Sequence, residues 1–222
     1  MPPLRLRYQT LEFGDTDIHV RTLRDRQQFQ DVEGIAESLG ISSATWPLFG
    51  IIWESGRILA DLMHGYAVGG KRILEVGCGI GLASLVLNAR HADITATDQH
   101  PEAEGFLSEN VKLNRGEIIP FERTGWGDDS DTLGRFDLII GSDLLYEREH
   151  AVQLSSFIDE HANEQCEVII VDPGRGQSSR FTRQMTELGY IHVASEAENS
   201  DPLQPVFKGR ILHYVRRVTN SS

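Results

Sequence analysis

Two acidic residues flank a glycine-rich turn in the first half of the chain. Glu75 lies just before the turn, which reads Gly-Cys-Gly-Ile-Gly over residues 77–81, and Asp98 follows the next predicted strand. Glycines let a backbone approach a ligand closely. An acid at the end of the second strand can accept hydrogen bonds from both hydroxyls of a ribose. The segment 72–98 therefore predicts a nucleoside site of the strand–turn–helix–strand type.

The spacing of the glycines discriminates between nucleosides. A dinucleotide site has a third glycine where this chain has Leu82, and a P-loop has Gly-Lys-Ser/Thr after the turn, which this sequence lacks. Glu75 would also repel a pyrophosphate. S-adenosylmethionine carries a sulfonium and an ammonium and no phosphate, so we expect it to be the cofactor. The alternative is a turn that only connects a strand to a helix.

Hydrophobic patterns indicate the elements around this unit. Apolar runs predict strands, and apolar residues at helical spacing predict helices. Besides the segment 72–98, the predicted strands are 118–121, 136–140, 168–171, 190–194 and 210–218, and the predicted helices are 49–63, 101–114, 150–161 and 179–188. Pro202 and Pro205 exclude a crossover helix before the last strand, which must then pair antiparallel. The predicted fold class is α/β, a doubly wound, seven-stranded, mostly parallel Rossmann-like sheet.

An N-terminal extension, residues 1–45, precedes the predicted cofactor-binding domain, residues 46–222. Alternating apolar residues on both sides of Gly14 predict a hairpin over 4–23. A thin apolar stripe predicts a marginal helix over 24–40. The sequence leaves open whether this segment becomes ordered only when a cofactor or substrate binds.

Composition limits the partners and the compartment. The formal net charge of −12 over 222 residues argues against a protein that follows nucleic-acid phosphates. Cys78 and Cys166 make no disulfide framework, and no apolar run reaches the length of a membrane span. We expect a cytoplasmic protein that binds neither nucleic acid nor a membrane. His100, His150 and His161 lack metal-ligand spacing, so we expect surface or capping roles for them and no metal site.

Several polar and aromatic residues are predicted at one edge of the sheet. Ligands of doubly wound sheets bind at the carboxyl ends of the strands, where the strand order reverses. Trp126, Ser142 and Asp143 follow predicted strands, as Glu75 and Asp98 do. These five residues are therefore predicted to share a site.

The sequence resembles the class I, seven-strand S-adenosylmethionine-dependent methyltransferases, through Leu-Glu-Val-Gly-Cys-Gly-Ile-Gly at 74–81 and through Asp98. Within that class it resembles the methyltransferase-like protein lysine methyltransferases. The narrower resemblance rests on Trp46, Asn110, Asn114, Trp126-Gly127 and Asp-Leu-Leu-Tyr at 143–146, which matches the motif D-x-x-Y. The resemblance covers the chain from about residue 46 to its end.

The resemblance implies a role for each residue of the turn and for the two acids. Gly77 and Gly79 would pass under the methionine part of the cofactor, and Cys78 would belong to the same binding turn. Glu75 would receive the ammonium of the cofactor, directly or through water. Asp98 would hold the ribose.

Further cofactor contacts are implied on either side of the turn. Trp126 would lie against the adenine, with Asp128 as a partner for the exocyclic amine. Trp46 would contact the cofactor from the N-terminal side, and Ser142 would line its pocket. Trp46 and Trp126 each have an alternative reading as ordinary core aromatics.

Asp143 and Tyr146 are the implied catalytic residues, shaping the substrate entrance beside the methyl group. Asp143 has an alternative as the cap of the next helix, and Tyr146 as a packing residue. The resemblance implies methyl transfer to a lysine of a protein substrate. The alternatives are a small-molecule methyltransferase and a cofactor-binding module without catalysis. The loop Asp-Pro-Gly-Arg at 172–175 resembles the branch that modifies the electron transfer flavoprotein β subunit.

Overall fold

The computed structural model describes residues 4–127, 132–195 and 207–217. Strands β1 (Leu6–Phe13) and β2 (Thr16–Leu23) pair antiparallel around Gly14, whose φ of 58° places it in the left-handed region of the tight turn. The predicted hairpin is confirmed.

The segment after the hairpin differs from the prediction. The marginal helix expected over 24–40 is reduced to one turn, α1 (Ile35–Ser38), between Gly34 and Gly40, both with positive φ. Left-handed glycines on either side end the helical hydrogen-bond pattern. A 3-10 helix, Trp46–Gly50, and an extended stretch through Trp53 follow. The helix predicted over 49–63 therefore begins later, as α2 (Glu54–Gly65).

A seven-stranded sheet with helices on both faces forms the rest of the structure. In chain order its elements are β3 (Arg72–Val76), α3 (Leu82–Ala89), β4 (Asp93–Asp98), α4 (Ala103–Leu113), β5 (Phe121–Arg123), β6 (Phe136–Ser142), α5 (His150–His161), β7 (Ala162–Asp172), α6 (Ser178–Glu187), β8 (Ile191–Ser195) and β9 (Arg210–Arg216). The strand order is β5-β4-β3-β6-β7-β9-β8. Only β9 runs antiparallel to its neighbours among the pairs described. The predicted doubly wound, mostly parallel sheet is confirmed, while Pro202 and Pro205 lie outside the described residues.

Two strands have different limits from those predicted. The strand expected over 118–121 begins only at Phe121, and Ile118 is 92% exposed. Pro120 has no N–H to donate to a ladder, although its carbonyl accepts a bond from the nitrogen of Ala96. Strand β7 begins well before the apolar run at 168–171, because Ala162 pairs with Phe136 of β6 and Cys166 pairs with Arg216 of β9.

The strand order reverses beside β3. The chain runs outward from β3 through β4 to β5, and then returns to place β6 on the other side of β3. The carboxyl ends of β3, β4 and β6 therefore border a crevice, which is where open α/β sheets bind ligands.

The hairpin is joined to the sheet domain by two asparagines of one helix. The side-chain amide of Asn110 accepts from the nitrogen of Arg21 (2.7 Å) and donates to the carbonyl of Arg21 (3.4 Å). One turn later, Asn114 makes the same pair of bonds with His19, at 2.8 and 2.7 Å. These amides take the place of a third strand along β2.

The apolar side of the hairpin completes this attachment. Phe13, Ile18, Val20 and Leu23 are buried in the same cluster as residues of β3, α3 and α4. Within the described part of the chain, no helix has the length and apolar character needed to cross a bilayer.

Candidate functional site

A cavity of about 470 Å³ opens at the carboxyl ends of β3, β4 and β6. Its walls come from the segment 39–56, from the glycine turn, and from the loops that follow β4, β5, β6 and β7. Nine of the ten residues predicted for the site line it: Glu75, Gly77, Cys78, Gly79, Asp98, Trp126, Ser142, Asp143 and Tyr146. Asp128 lies outside the described residues.

The glycine turn runs directly beneath the 3-10 helix. Gly77 and Gly79 have φ values of 62° and 56°. A Cβ atom on Gly79 would lie 2.8 Å from the carbonyl oxygen of Phe49, and no side chain fits that space. The turn therefore requires glycine there, both for its conformation and for the backbone that covers it.

Asp98 orients the same turn. Its Oδ2 accepts a hydrogen bond from the nitrogen of Gly79 and its Oδ1 one from the nitrogen of His100, both at 2.8 Å. Burial raises the pKa of Asp98, and the surrounding backbone N–H groups oppose that rise. The carboxylate is thus held in one orientation at the end of β4.

Glu75 is only 4% exposed at the end of β3. Its Oε2 accepts from the backbone nitrogen of Ser84 at 2.8 Å and from the Ser84 hydroxyl. Burial raises the pKa of Glu75 to about 7, with the hydrogen bonds from Ser84 opposing the rise and the nearby Asp98 carboxylate adding to it. A cationic group in the cavity would favour the ionised carboxylate.

Trp46 does not line the cavity, which corrects the contact expected for it. It is 1% exposed, and its ring makes edge contacts with Phe49 and His100 at centroid distances of 5.4 and 5.3 Å. Those two rings stack on each other at 3.9 Å and do line the cavity. Trp46 therefore supports the wall from behind, because the 3-10 helix turns its side chain into the core.

His100 and His150 are cavity residues that sequence reasoning had placed in surface or capping roles. Burial lowers the pKa of His100 to about 4, so its imidazole is neutral around pH 7. The His150 ring packs edge-on against Trp126 (5.1 Å) and Tyr146 (4.4 Å), and its Nδ1 lies 3.2 Å from the Leu144 carbonyl oxygen. Residues four apart lie on one face only within a helix, and Tyr146 precedes the helix that begins at His150, so the sequence does not predict this contact.

Asp143 follows β6 in a left-handed conformation, with φ of 55°. Its N–H donates to the carbonyl of Val171 at 2.9 Å, and Glu149 caps the next helix, so the capping alternative for Asp143 does not hold. Arg175 donates to both carboxylate oxygens of Asp143, from Nε at 2.5 Å and from Nη2 at 2.7 Å. Arg175 also lines the cavity and was not among the predicted site residues.

The charges of the cavity favour a cationic ligand. Four carboxylates, those of Glu75, Asp98, Asp143 and Glu147, face one guanidinium, that of Arg175. Within the ranges that the structure describes, no group of three or more histidine, cysteine or acidic side chains is arranged to hold a metal ion.

Comparison with known proteins gives a consistent result. Residues 36–188 match the family described as Lysine methyltransferase. The chain is 29% identical over 191 residues to the protein N-lysine methyltransferase METTL21A of Danio rerio, a match that covers 81% of this chain and 83% of that protein. It is 30% identical over 137 residues to the electron transfer flavoprotein beta subunit lysine methyltransferase of Mus musculus. That match covers 60% of this chain and 53% of the mouse protein, so the chain spans about half the length of that relative.

Among solved structures, the chain is similar to the ribosomal protein L11 methylase of Lactobacillus delbrueckii subsp. bulgaricus. The TM-score is 0.61 at 20% identity, and the match covers 95% of this chain and all of the other. The likeness at this identity supports the doubly wound fold.

Proposed function

This chain belongs to the lysine methyltransferase family, and we propose that it transfers the methyl group of S-adenosylmethionine to a lysine side chain of a protein. One observation carries the proposal. Glu75 and Asp98 end adjacent parallel strands and line one cavity with the glycine turn between them, and Asp143 and Tyr146 line the same cavity from the next strand.

The residues present fit this cofactor. The bare backbone of Gly77 and Gly79 leaves room for a ligand to lie close to the turn, since both line the cavity. Glu75 suits the ammonium because a buried carboxylate with a pKa of about 7 gains from a neighbouring cation. Asp98 suits the ribose hydroxyls, as its orientation is set by two backbone N–H groups.

The aromatic wall supports the position proposed for the adenine. Trp126 is half-buried in the cavity and is held by the His150 ring, so it can offer a flat face to a base. Ser142 lines the wall between the glycine turn and Asp143. Trp46 supports this site through Phe49 and His100 without a contact of its own.

S-adenosylmethionine, when bound, supplies a methyl group on a sulfonium. The chain must then place a neutral amine in line with that methyl group, and positioning of this kind contributes about 7–11 kcal/mol in well-oriented reactions. A free lysine has a pKa of about 10.4, so its ammonium must lose a proton. Asp143 would orient the amine or pass its proton to water, and the half-exposed Tyr146 would guide the approach.

A protein is the substrate that the rim of the cavity favours. Leu39, Leu48 and Tyr146 line it and are 42%, 38% and 44% exposed, so apolar surface is available to a partner at the opening. The formal net charge of −12 favours a basic protein segment over a nucleic acid. A small-molecule acceptor is the second candidate, since the cavity itself would admit one.

Two measurements test the proposal in turn. Calorimetric titration with S-adenosylmethionine and, separately, with NAD should show binding of S-adenosylmethionine only. Incubation with tritiated S-adenosylmethionine and a protein extract should then label a protein, with the label on lysine after hydrolysis. Label confined to the small-molecule fraction would favour the second candidate. Cofactor binding without any transfer would favour a module without catalysis.

A further inference from the structure

We propose that Arg175 is a positioning residue for methyl transfer, which acts by holding the Asp143 carboxylate toward the acceptor amine. The inference rests on the proposed function and assigns a task to a residue outside the glycine turn and the D-x-x-Y segment. It concerns the contact between the loop after β7 and the end of β6.

The contact between the two side chains is bidentate. Nε and Nη2 of Arg175 meet Oδ1 and Oδ2 of Asp143 at 2.5 and 2.7 Å, so two parallel N–H groups face two oxygens. This geometry fixes the rotation of the carboxylate about its last torsion, which one hydrogen bond would leave free. A carboxylate has about four acceptor positions, so two remain for a substrate amine.

The backbone on both sides is arranged to bring these groups together. Asp143 has a φ of 55°, and its N–H is tied to the carbonyl of Val171 on the neighbouring strand. Gly174 and Gly176 flank Arg175 with φ values of 93° and 91°. These two left-handed glycines let the loop turn back over the end of the sheet, where the guanidinium reaches Asp143.

A second carboxyl group lies near the guanidinium. Asp172, the last residue of β7, is fully buried. Burial raises the pKa of Asp172 and the backbone N–H groups of Gly174 and Arg175 oppose that rise, while the charge of Asp143 raises it and the Arg175 cation lowers it. Arg175 therefore pairs with Asp143 and also places its positive charge near the buried Asp172 carboxyl group.

The exposed fractions of the two side chains differ, which indicates that Arg175 holds Asp143 in place. The Asp143 side chain is 10% exposed and that of Arg175 is 43% exposed, and both line the cavity. The more exposed arginine therefore holds a carboxylate that is nearly buried at the edge of the cavity. An acceptor lysine entering the cavity would meet a carboxylate with a fixed direction.

A double-mutant cycle tests the proposal. The variants are R175M, D143N and the double variant. R175K is added because lysine keeps the positive charge but cannot form the bidentate contact of the guanidinium. Arg183→Met is the matched control, because Arg183 is a 67% exposed arginine of α6 that pairs with Glu187 at 3.9 Å. Each variant is assayed for S-adenosylmethionine affinity by calorimetry and for the rate of tritium transfer, at saturating cofactor, into the extract protein that the wild type labels.

We expect R175M to lower the transfer rate about 100-fold, the loss typical of a misplaced catalytic group, with cofactor affinity within about threefold of the wild type. The transfer rate of R175K should exceed that of R175M by less than about tenfold. R183M should transfer at the wild-type rate. The double variant should be no slower than D143N, because Arg175 acts through Asp143. If R175M fails to fold, R175K and R175Q complete the cycle.

Three results would overturn the inference. They are a wild-type rate in R175M, losses that multiply in the double variant, and a cofactor affinity that falls as much as the rate does. Failure of the proposed function would look different, because the wild type itself would then label no protein.

Discussion

The backbone nitrogen of Gly79 donates a 2.8 Å hydrogen bond to Oδ2 of Asp98. The glycine turn after β3 and the acid that ends β4 are therefore one unit. Any change at Asp98 alters both the expected ribose partner and the turn expected to lie under the methionine part.

We expect Asp98→Asn to weaken S-adenosylmethionine binding by about 10- to 150-fold. The amide loses the negative charge and one acceptor, and hydrogen bonds to charged groups contribute about 1.5–3 kcal/mol. Calorimetry gives the affinity directly. Asp93→Asn at the exposed start of the same strand is the matched control, since the Asp93 side chain is 64% exposed and its ion pair with Arg72 is long, at 3.8 Å. Equal affinities for both variants would remove Asp98 from the cofactor site.

Cofactor binding should depend on pH through Glu75. Its pKa of about 7 means that half of the free protein carries a protonated Glu75 at that pH, whereas the cofactor ammonium favours the ionised form. Binding at pH 7 should therefore release about half a proton per protein molecule on average, and affinity should fall as the pH drops from 8 to 6. Calorimetry in two buffers of different ionisation enthalpy measures the released proton. Glu75→Gln should bind more weakly and without this release; a release that persists in the variant would point to another group.

Glu75 should also make the stability of the free protein depend on pH. Stability should fall as the pH rises, whereas cofactor affinity should increase. Unfolded Glu75 loses its proton near pH 4.5 and folded Glu75 near 7. Because the folded state binds the extra proton between these values, the stability that Glu75 contributes falls as the pH rises from 4.5 to 7. Over that interval, the free energy of unfolding of Glu75→Gln should rise relative to that of the wild type by on the order of 3 kcal/mol. Denaturant unfolding at pH 5 and pH 8 measures the gain, and a constant difference would contradict it.

The two tryptophans expected to contact the cofactor should behave differently. Trp126→Ala should weaken cofactor binding by about 5- to 150-fold, the range given by base–aromatic stacking of about 1–3 kcal/mol. Trp46→Phe should leave the affinity near that of the wild type and lower the melting temperature, because Trp46 lies behind Phe49 and His100. Calorimetry and thermal unfolding separate the two effects. A larger affinity loss in the Trp46 variant would restore its direct contact.

Removal of the Asn110 amide should destabilise the fold. Asn110→Ala leaves the backbone N–H of Arg21 and the carbonyl of Ile80 without this partner, at a cost of about 1–3 kcal/mol. Denaturant unfolding measures the loss. Asn88→Ala is the control, as its amide makes one exposed 3.0 Å bond to the carbonyl of Glu117. Similar losses in both variants would mean that the bonds to the hairpin contribute nothing specific.

Local patterns were sufficient for the central unit and for the direction of the last strand. The apolar run of β3, the glycines and Asp98 follow one another in sequence, so short-range rules predicted these elements and the residues that line the cavity there. The prolines before β9 excluded a crossover, and the antiparallel strand β9 followed. The family resemblance is confirmed by the match over residues 36–188.

Long-range packing decided the parts that sequence did not predict. Whether Trp46 faces the cavity depends on how the 3-10 helix sits on the glycine turn, since a buried aromatic has the same local pattern on either side of a wall. Arg175 and Asp143 are 32 residues apart and meet only because β6 and β7 pair. The helix predicted over 24–40 is limited to one turn, because the left-handed glycines Gly34 and Gly40 lie on either side of that turn.

The asparagine contacts also have a consequence for synthesis on the ribosome. The bonds that satisfy β2 join residues 89 and 95 positions apart. A nascent chain therefore completes its first hairpin with an open edge, and helix α4 covers that edge only after both following strands and the nucleoside turn have emerged. Open strand edges are templates for pairing with other chains. The hairpin is thus made well before the helix that covers its edge, and contacts of such long range slow folding.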